Sequence, residues 1–217
     1  ASSLFTAVTV TGESELTSEN VVVSVEFEAY RVSGSTDISS PTYGYEPSLT
    51  IIGGSVTSAK DCCVFIYGIS SLEIEGDASL ESRGMYATIQ GNGNATSGGT
   101  TVKLGACSVI NTYVVEQGEP SVSAIYVPQA VTFDIDGATI EGGTGLYIKS
   151  GTYTIKNASI TGTAHHRGYE YYNNGANGTG DAIVIDNCGY PGGSPAVSIQ
   201  SGTYSSEHAS SVGSYAH

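Results

Sequence analysis

FDIDGATI (133–140) and YTIKNASI (153–160) are two copies of one short pattern, and four more copies run through the chain: LTIIGGSV (49–56), LEIEGDASL (72–80), VKLGACSV (102–109) and VSIQSGTY (197–204). Each places a large apolar residue, a free position, Ile or Leu, a tight corner, a small residue, Ser or Thr, and a further apolar residue. Apolar residues two apart mark a strand with one buried face. The corners carry Gly53, Gly76, Gly137 and Asn157, residue types that tolerate a left-handed backbone. A second, looser pattern precedes five of the copies: VFIYG (64–68), ATIQG (87–91), IYVPQ (125–129), LYIKS (146–150) and IVIDN (183–187). Two strand patterns in strict rotation describe a coil wound again and again, a β-solenoid with about 20–23 residues per coil.

The winding predicts which residues stack. In the first pattern Leu49, Leu72, Val102, Phe133, Tyr153 and Val197 form one inward column, and Ile51, Ile74, Leu104, Ile135, Ile155 and Ile199 form a second. Val56, Leu80, Val109, Ile140, Ile160 and Tyr204 belong to a short third strand. In the looser pattern the central residues Ile66, Ile89, Val127, Ile148 and Ile185 are expected to align. Parallel strands joined by crossovers of one hand favour right-handed winding. The expected fold is therefore all-β, a right-handed parallel β-helix of about six coils over residues 48–217.

Residues 1–47 leave the repeat. VVVSVEFEAYRV (21–32) alternates cleanly and reads as one long strand, and LFTAVTV (4–10) reads as a second. They are expected to cap the N-terminal end of the solenoid, where bare strand edges would otherwise template further pairing. Residues 33–47, with Gly, Ser and Pro, read as the loop into the first coil. After Tyr204 the tail SSEHASSVGSYAH looks too short and polar to form a cap, which leaves the last coil open.

The 217 residues carry 7 Lys and Arg against 21 Asp and Glu, a formal charge of −14. Such a chain is a poor partner for nucleic acid. No apolar run reaches membrane-spanning length. The chain opens on Ala1 and is poor in Lys and rich in Ser, Thr and Gly, with 15 Tyr; together these suggest a processed product, secreted or at the cell surface. Of the four cysteines, Cys107 fills the small-residue column of Gly54, Ala138, Ala158 and Gly202, so a buried thiol is expected there. Cys62 and Cys63 are vicinal, and a bridge between neighbours is strained. Cys188 lies about four coils from them, out of reach within one molecule at roughly 4.8 Å per coil. A bridge between stacked protomers stays open.

In TGDAIVIDN (179–187) and VSIQSGTYSS (197–206) the chain resembles the β-helix repeats of large bacterial surface proteins. More broadly, residues 48–205 resemble the right-handed parallel β-helix shared by pectate-lyase-like enzymes, surface adhesins and phage tail proteins. The resemblance implies a fold and hardly a chemistry. Lyases of that fold join a basic residue, a base and often calcium bound by strand carboxylates, and no such set stands here. The outward column Thr50, Glu73, Lys103, Asp134, Thr154, Ser198 and the pair Asp136 and Lys156 read instead as charge ladders that steady the stack.

Four insertions interrupt the coil. Residues 112–122 and 161–180 leave the same edge two coils apart and are expected to wall a groove, whereas 90–100 and 187–195 leave another corner. Long loops on rigid scaffolds carry function or pack on themselves. The 161–180 loop offers His165, His166, Arg167, Tyr169, Tyr171 and Tyr172, with Glu170 among them, and its neighbour offers Glu116 and Glu119. His165 and His166 lack a third ligand at zinc spacing, so no metal and no cofactor is expected. On the outward face of the looser pattern, Phe65, Thr88, Tyr126, Tyr147 and Val184 are expected in one column with Tyr67 alongside. Such a row suits the apolar face of sugar rings, or is itself covered by a loop or a neighbouring molecule. Asn94, Asn157 and Asn177 head glycosylation sequons.

These features predict a non-enzymatic extracellular structural or adhesive β-solenoid, a surface or fibre-forming subunit whose protomers associate head to tail. The alternatives are a carbohydrate-binding module acting on polysaccharide through Phe65, Tyr67, Tyr126 and Tyr147, or a small polysaccharide lyase using the 161–180 loop.

Overall fold

The computed structural model describes residues 7–11, 15–18, 25–28, 48–67, 71–91, 99–172 and 175–216. It is an all-β parallel helix built from three sheets of seven strands each. The first sheet stacks Ala7–Thr11, Ser48–Ile52, Ser71–Glu75, Thr100–Leu104, Val131–Asp136, Thr152–Lys156 and Ala196–Ile199. The second stacks Glu15–Ser18, Ser55–Ser58, Ala78–Ser82, Cys107–Asn111, Thr139–Gly142, Ala158–Gly162 and Gly202–Ser206. Val25–Glu28, Val64–Tyr67, Ile89–Gly91, Ser123–Tyr126, Thr144–Ile148, Ile183–Asn187 and Val212–Ala216 make the third.

Register follows the repeat closely in the first two sheets. Leu49 pairs with Leu72, Leu72 with Val102, Val102 with Phe133, Phe133 with Tyr153 and Tyr153 with Val197. The Ile51-to-Ile199 column and the Val56-to-Tyr204 column hold in the same way. From Leu49 to Ile160 these inward side chains are buried in one continuous core, with Phe133 stacked on Tyr153 at 5.1 Å. Each fully buried Leu, Ile or Phe contributes roughly 1.5–3 kcal/mol. The corner residues take the left-handed backbone that the motif requires, with φ of 70° at Gly53, 67° at Gly76, 93° at Gly137 and 51° at Asn157.

Strands on both sides of the six repeat copies extend the stack. Ala7–Thr11, Glu15–Ser18 and Val25–Glu28 pair parallel and in register with the first repeat coil, adding one layer to every sheet. Of the expected long strand over 21–32 only Val25–Glu28 is described; the rest, and the 33–47 loop, lie outside the described residues. The tail after Tyr204 is also part of the coil, because Val212–Ala216 pairs with Ile183–Asn187 as the third strand of the last turn.

The third sheet slips by two residues at one strand. Ile89 lies opposite Val64 and Ile125, and Ile66 lies opposite Gly91. Thr88 therefore leaves the expected outward column and Gln90 enters it, between Phe65 and Tyr126. The cause is the empty inward position at Gly91. A Cβ there would collide with the side-chain oxygen of Gln129, whose buried amide occupies the space.

All four cysteines are free and buried. Of the expected charge ladders, Lys156 meets Asp136 at 3.3 Å on the exposed face. Asn157 and Lys156 together hold the Asp136 carboxyl below its usual range.

A candidate functional site: the groove between the two long loops

The two long loops of the same edge meet. Ser121 donates its amide to the Gly178 carbonyl at 3.1 Å, an antiparallel bridge between the 112–122 and 161–180 segments. Gly178 is needed there, because a Cβ would run into the Ser121 carbonyl. Thr144 ties both loops to the sheet beneath. Its hydroxyl lies 2.7 Å from that of Ser121 and accepts the Gly180 amide at 3.1 Å.

Between the loops and the 84–87 turn lies an open groove of about 750 Å³. Tyr86, Tyr113 and Tyr172 line it with exposed rings, at 51%, 38% and 56% of full exposure. Its carboxylates are Glu116 and Glu119, set on either side of a turn closed by a 3.1 Å bond from the Glu119 amide to the Glu116 carbonyl, with Gly118 at φ 97°. Asn111, at the buried end of its strand, holds two walls together. Its side-chain amide donates to the Tyr86 carbonyl at 2.8 Å, and its side-chain oxygen accepts the Tyr113 amide at 3.0 Å. The sequence expectation of a groove is met, but Tyr86, Tyr113 and Asn111 were not among its candidates. An apolar-polar strand end followed by Tyr offers no periodic signal, so these residues pass as ordinary edge positions.

The aromatic row of the third sheet is covered, although Tyr126 also lines the groove. Tyr126 and Tyr147 pair on adjacent coils as expected, but they are 3% and 0% exposed. Their rings meet edge to face at 5.9 Å, and Gly175 donates its amide to the Tyr126 hydroxyl at 3.2 Å. The row is thus packed beneath the 161–180 loop and presents no open sugar platform at these two positions. Phe65 is half-buried further along the column. Tyr67 lies in the same strand, with its side chain outside the described set.

The loop is fastened by two fully buried carboxylates. Asp186 accepts the Tyr147 and Tyr169 hydroxyls at 2.8 Å each and faces the Lys149 ammonium at 3.8 Å, both charged side chains being without solvent contact. Lys149 also donates to the Tyr172 carbonyl, and burial lowers its pKa from the usual lysine value. Burial, with the Asp186 carboxylate adding to it, raises the Tyr147 and Tyr169 phenols. Asp181 accepts bonds from the Thr179 hydroxyl at 2.7 Å, the Tyr215 hydroxyl at 2.7 Å and the Ser210 amide at 2.8 Å. Tyr169 stacks on Tyr215 at 4.5 Å, which joins the loop to the C-terminal strand.

The remaining loop candidates divide by role. Arg167 braces the loop from within, donating to the Asn177 side chain and to Glu170 at 2.7 Å. Asn177 is buried by the same contacts, its amide donating to the Glu170 carbonyl at 3.0 Å. His165 stacks on His208 at 4.3 Å at the surface, and His166 is exposed. Tyr171 is exposed at the loop tip beside Tyr172. Among the described residues no three His, Cys, Asp or Glu side chains are grouped to hold a metal ion.

No protein-family model, curated protein sequence or solved structure matches this chain. Its functional reading rests on its own residues.

Proposed function

We propose that the chain is a non-enzymatic extracellular structural or adhesive β-solenoid, a rigid subunit that presents its loop-walled groove as a contact surface and associates end to end. The observation that carries this reading is the state of Arg167 in the loop and of Lys149 beneath it. Arg167 is bound by Asn177 and Glu170, and Lys149 by Asp186 and the Tyr172 carbonyl. Neither lines the groove, whose wall joins tyrosines and apolar side chains such as Met85 and Val114 to the carboxylates Glu116 and Glu119. A surface of that kind holds a ligand; among the described residues it has no cation to neutralise a uronate and start an elimination. The composition, rich in Ser, Thr and Gly and poor in Lys, supports the extracellular reading.

End-to-end association rests on the outermost described coil. There Ile199 and Val212 are 36% and 41% exposed, and the three strand edges offer unpaired backbone groups for parallel addition. A contact between the last coil of one copy and the first coil of the next is heterologous and extends into linear fibres. Negative-stain imaging and sedimentation at high concentration test this. Filaments are expected, and Ile199→Pro should disperse them by removing an edge donor, since the neighbouring Ala196 and Gln200 amides are the ones that donate inward to the preceding coil. A wild-type protein that stays monomeric at every concentration removes end-to-end assembly from the proposal.

A further inference from the structure

We propose that the groove is a binding site for a glycan bearing free amines, a hexosamine polymer being the simplest such ligand. This rests on the reading of the chain as a binding solenoid and names the chemical class that its groove selects.

Three observations converge. First, the groove's volume of about 750 Å³ falls within the range of small-ligand sites. Its walls are also held before any ligand arrives, by the Asn111 clamp and the Ser121 to Gly178 bridge. Preorganised walls lower the ordering cost of binding. Second, Tyr86, Tyr113 and Tyr172 come from three separate segments and leave their rings exposed around one space. Phenol rings offer an apolar face to a pyranose and a hydroxyl to its polar edge. Third, the lining is one-signed. Glu116 and Glu119 line the groove, no Lys, Arg or His does, and neither carboxylate is in an ion pair among the described residues.

That pattern discriminates among sugars. A uronate or sialylated chain would bring its carboxylates against Glu116 and Glu119 on a molecule already at −14, and like charge held against like charge is a device for rejecting partners. An ammonium on C2 of a hexosamine meets the opposite case, with attraction to both carboxylates and to the tyrosine faces. Acetylation of the amine removes its charge and with it this part of the recognition.

The test is titration calorimetry with three soluble probes: glucosamine oligomers, N-acetylglucosamine oligomers of equal length and oligogalacturonate. The proteins are wild type, Glu116→Gln/Glu119→Gln, Tyr113→Ala, and a Glu73→Gln/Glu75→Gln control that removes the same charge from the first sheet. Glucosamine oligomers are expected to bind wild type, to weaken about tenfold in the groove pair and to stay within about twofold in the control. Tyr113→Ala should weaken them too, and oligogalacturonate should not bind. Equal weakening by the groove pair and the control would mean diffuse attraction of a polycation to an acidic protein, and the proposal fails. Equal affinity for the acetylated oligomer, lost with Tyr113→Ala but untouched by the groove pair, overturns the amine while the groove keeps its role in binding. No binding of any probe removes both.

Discussion

Ile135 sits within the Ile51-to-Ile199 column, fully buried between Leu104 and Ile155. A carboxylate there would be unpaired in a dry stack, a cost of several kcal/mol. Ile135→Asp should therefore abolish the β-sheet circular dichroism signal at room temperature; a native spectrum and melting point would refute the inward assignment. The Lys149 and Asp186 pair behaves differently, because each partner compensates the other. Lys149→Met strands a buried carboxylate and should cost about 3–5 kcal/mol in denaturant unfolding. Adding Asp186→Asn should recover part of that loss, since the unpaired charge is then gone. The thiols give a pH dependence. Burial pushes Cys63 and Cys107 up to about 12, above the usual thiol value. A raised folded-state pKa keeps its proton bound longer than in the unfolded chain, so this stability is full below about pH 8.5 and falls as pH climbs towards 12. Unfolding midpoints measured across that window should decline. Cys107→Ala should make the decline shallower at little cost in fold, since Ala78 occupies the neighbouring position of the same column.

At the scale of elements, the groove exists because two loops and one turn are pinned by few contacts. Asn111 is the sharpest case, since a single buried side chain bonds the backbone of both Tyr86 and Tyr113. Asn111→Leu leaves the Tyr86 carbonyl and the Tyr113 amide without that partner. It should lower stability by about 1–3 kcal/mol and raise hydrogen exchange at residues 84–87 and 112–115, while the first sheet keeps its protection. Gly178→Ala acts from the opposite wall by displacing Ser121. The 161–180 loop should then become susceptible to limited proteolysis. Uniform change across all three sheets in either variant would mean that the loops are not independent of the stack.

At the scale of the whole molecule the stack is quasi-one-dimensional, the strands of each coil pairing only with those of the coils next to it. Loop and stack are nonetheless joined at the C-terminal end, where Tyr215 and Ser210 satisfy the buried Asp181. Tyr215→Phe removes one of these bonds and the stack on Tyr169 keeps only its ring contact. A modest loss of about 1 kcal/mol is expected, felt at the loop as well as at the last strand.

How much of this was legible in advance differs by sheet. In the first two sheets the motif carries inward pair, corner and following strand within eight or nine residues. Column, register and left-handed corners therefore follow from local pattern alone, because a shift of one residue would turn every apolar side chain outward. The shared edge of the two long loops follows from the same count. In the third sheet the strands are short and separated by insertions, and local pattern aligned Ile89 with Ile66 and Val127, whereas the structure sets it opposite Val64 and Ile125. Gly91 offers no side chain to read, and the buried Gln129 that fills its place comes from the next coil. The groove is less legible still. Tyr86, Tyr113 and Tyr172 are 27 and 59 residues apart in sequence, and only the winding and the Asn111 and Ser121 contacts bring them round one space. Likewise nothing periodic marks Val212–Ala216 as a strand; its pairing with Ile183–Asn187 makes it one. The amino-acid order by itself determined the solenoid, because its repeat is local and its burial is obligatory. Tertiary structure alone decided which tyrosines are covered and which are presented, because that depends on how loops close over a stack already built.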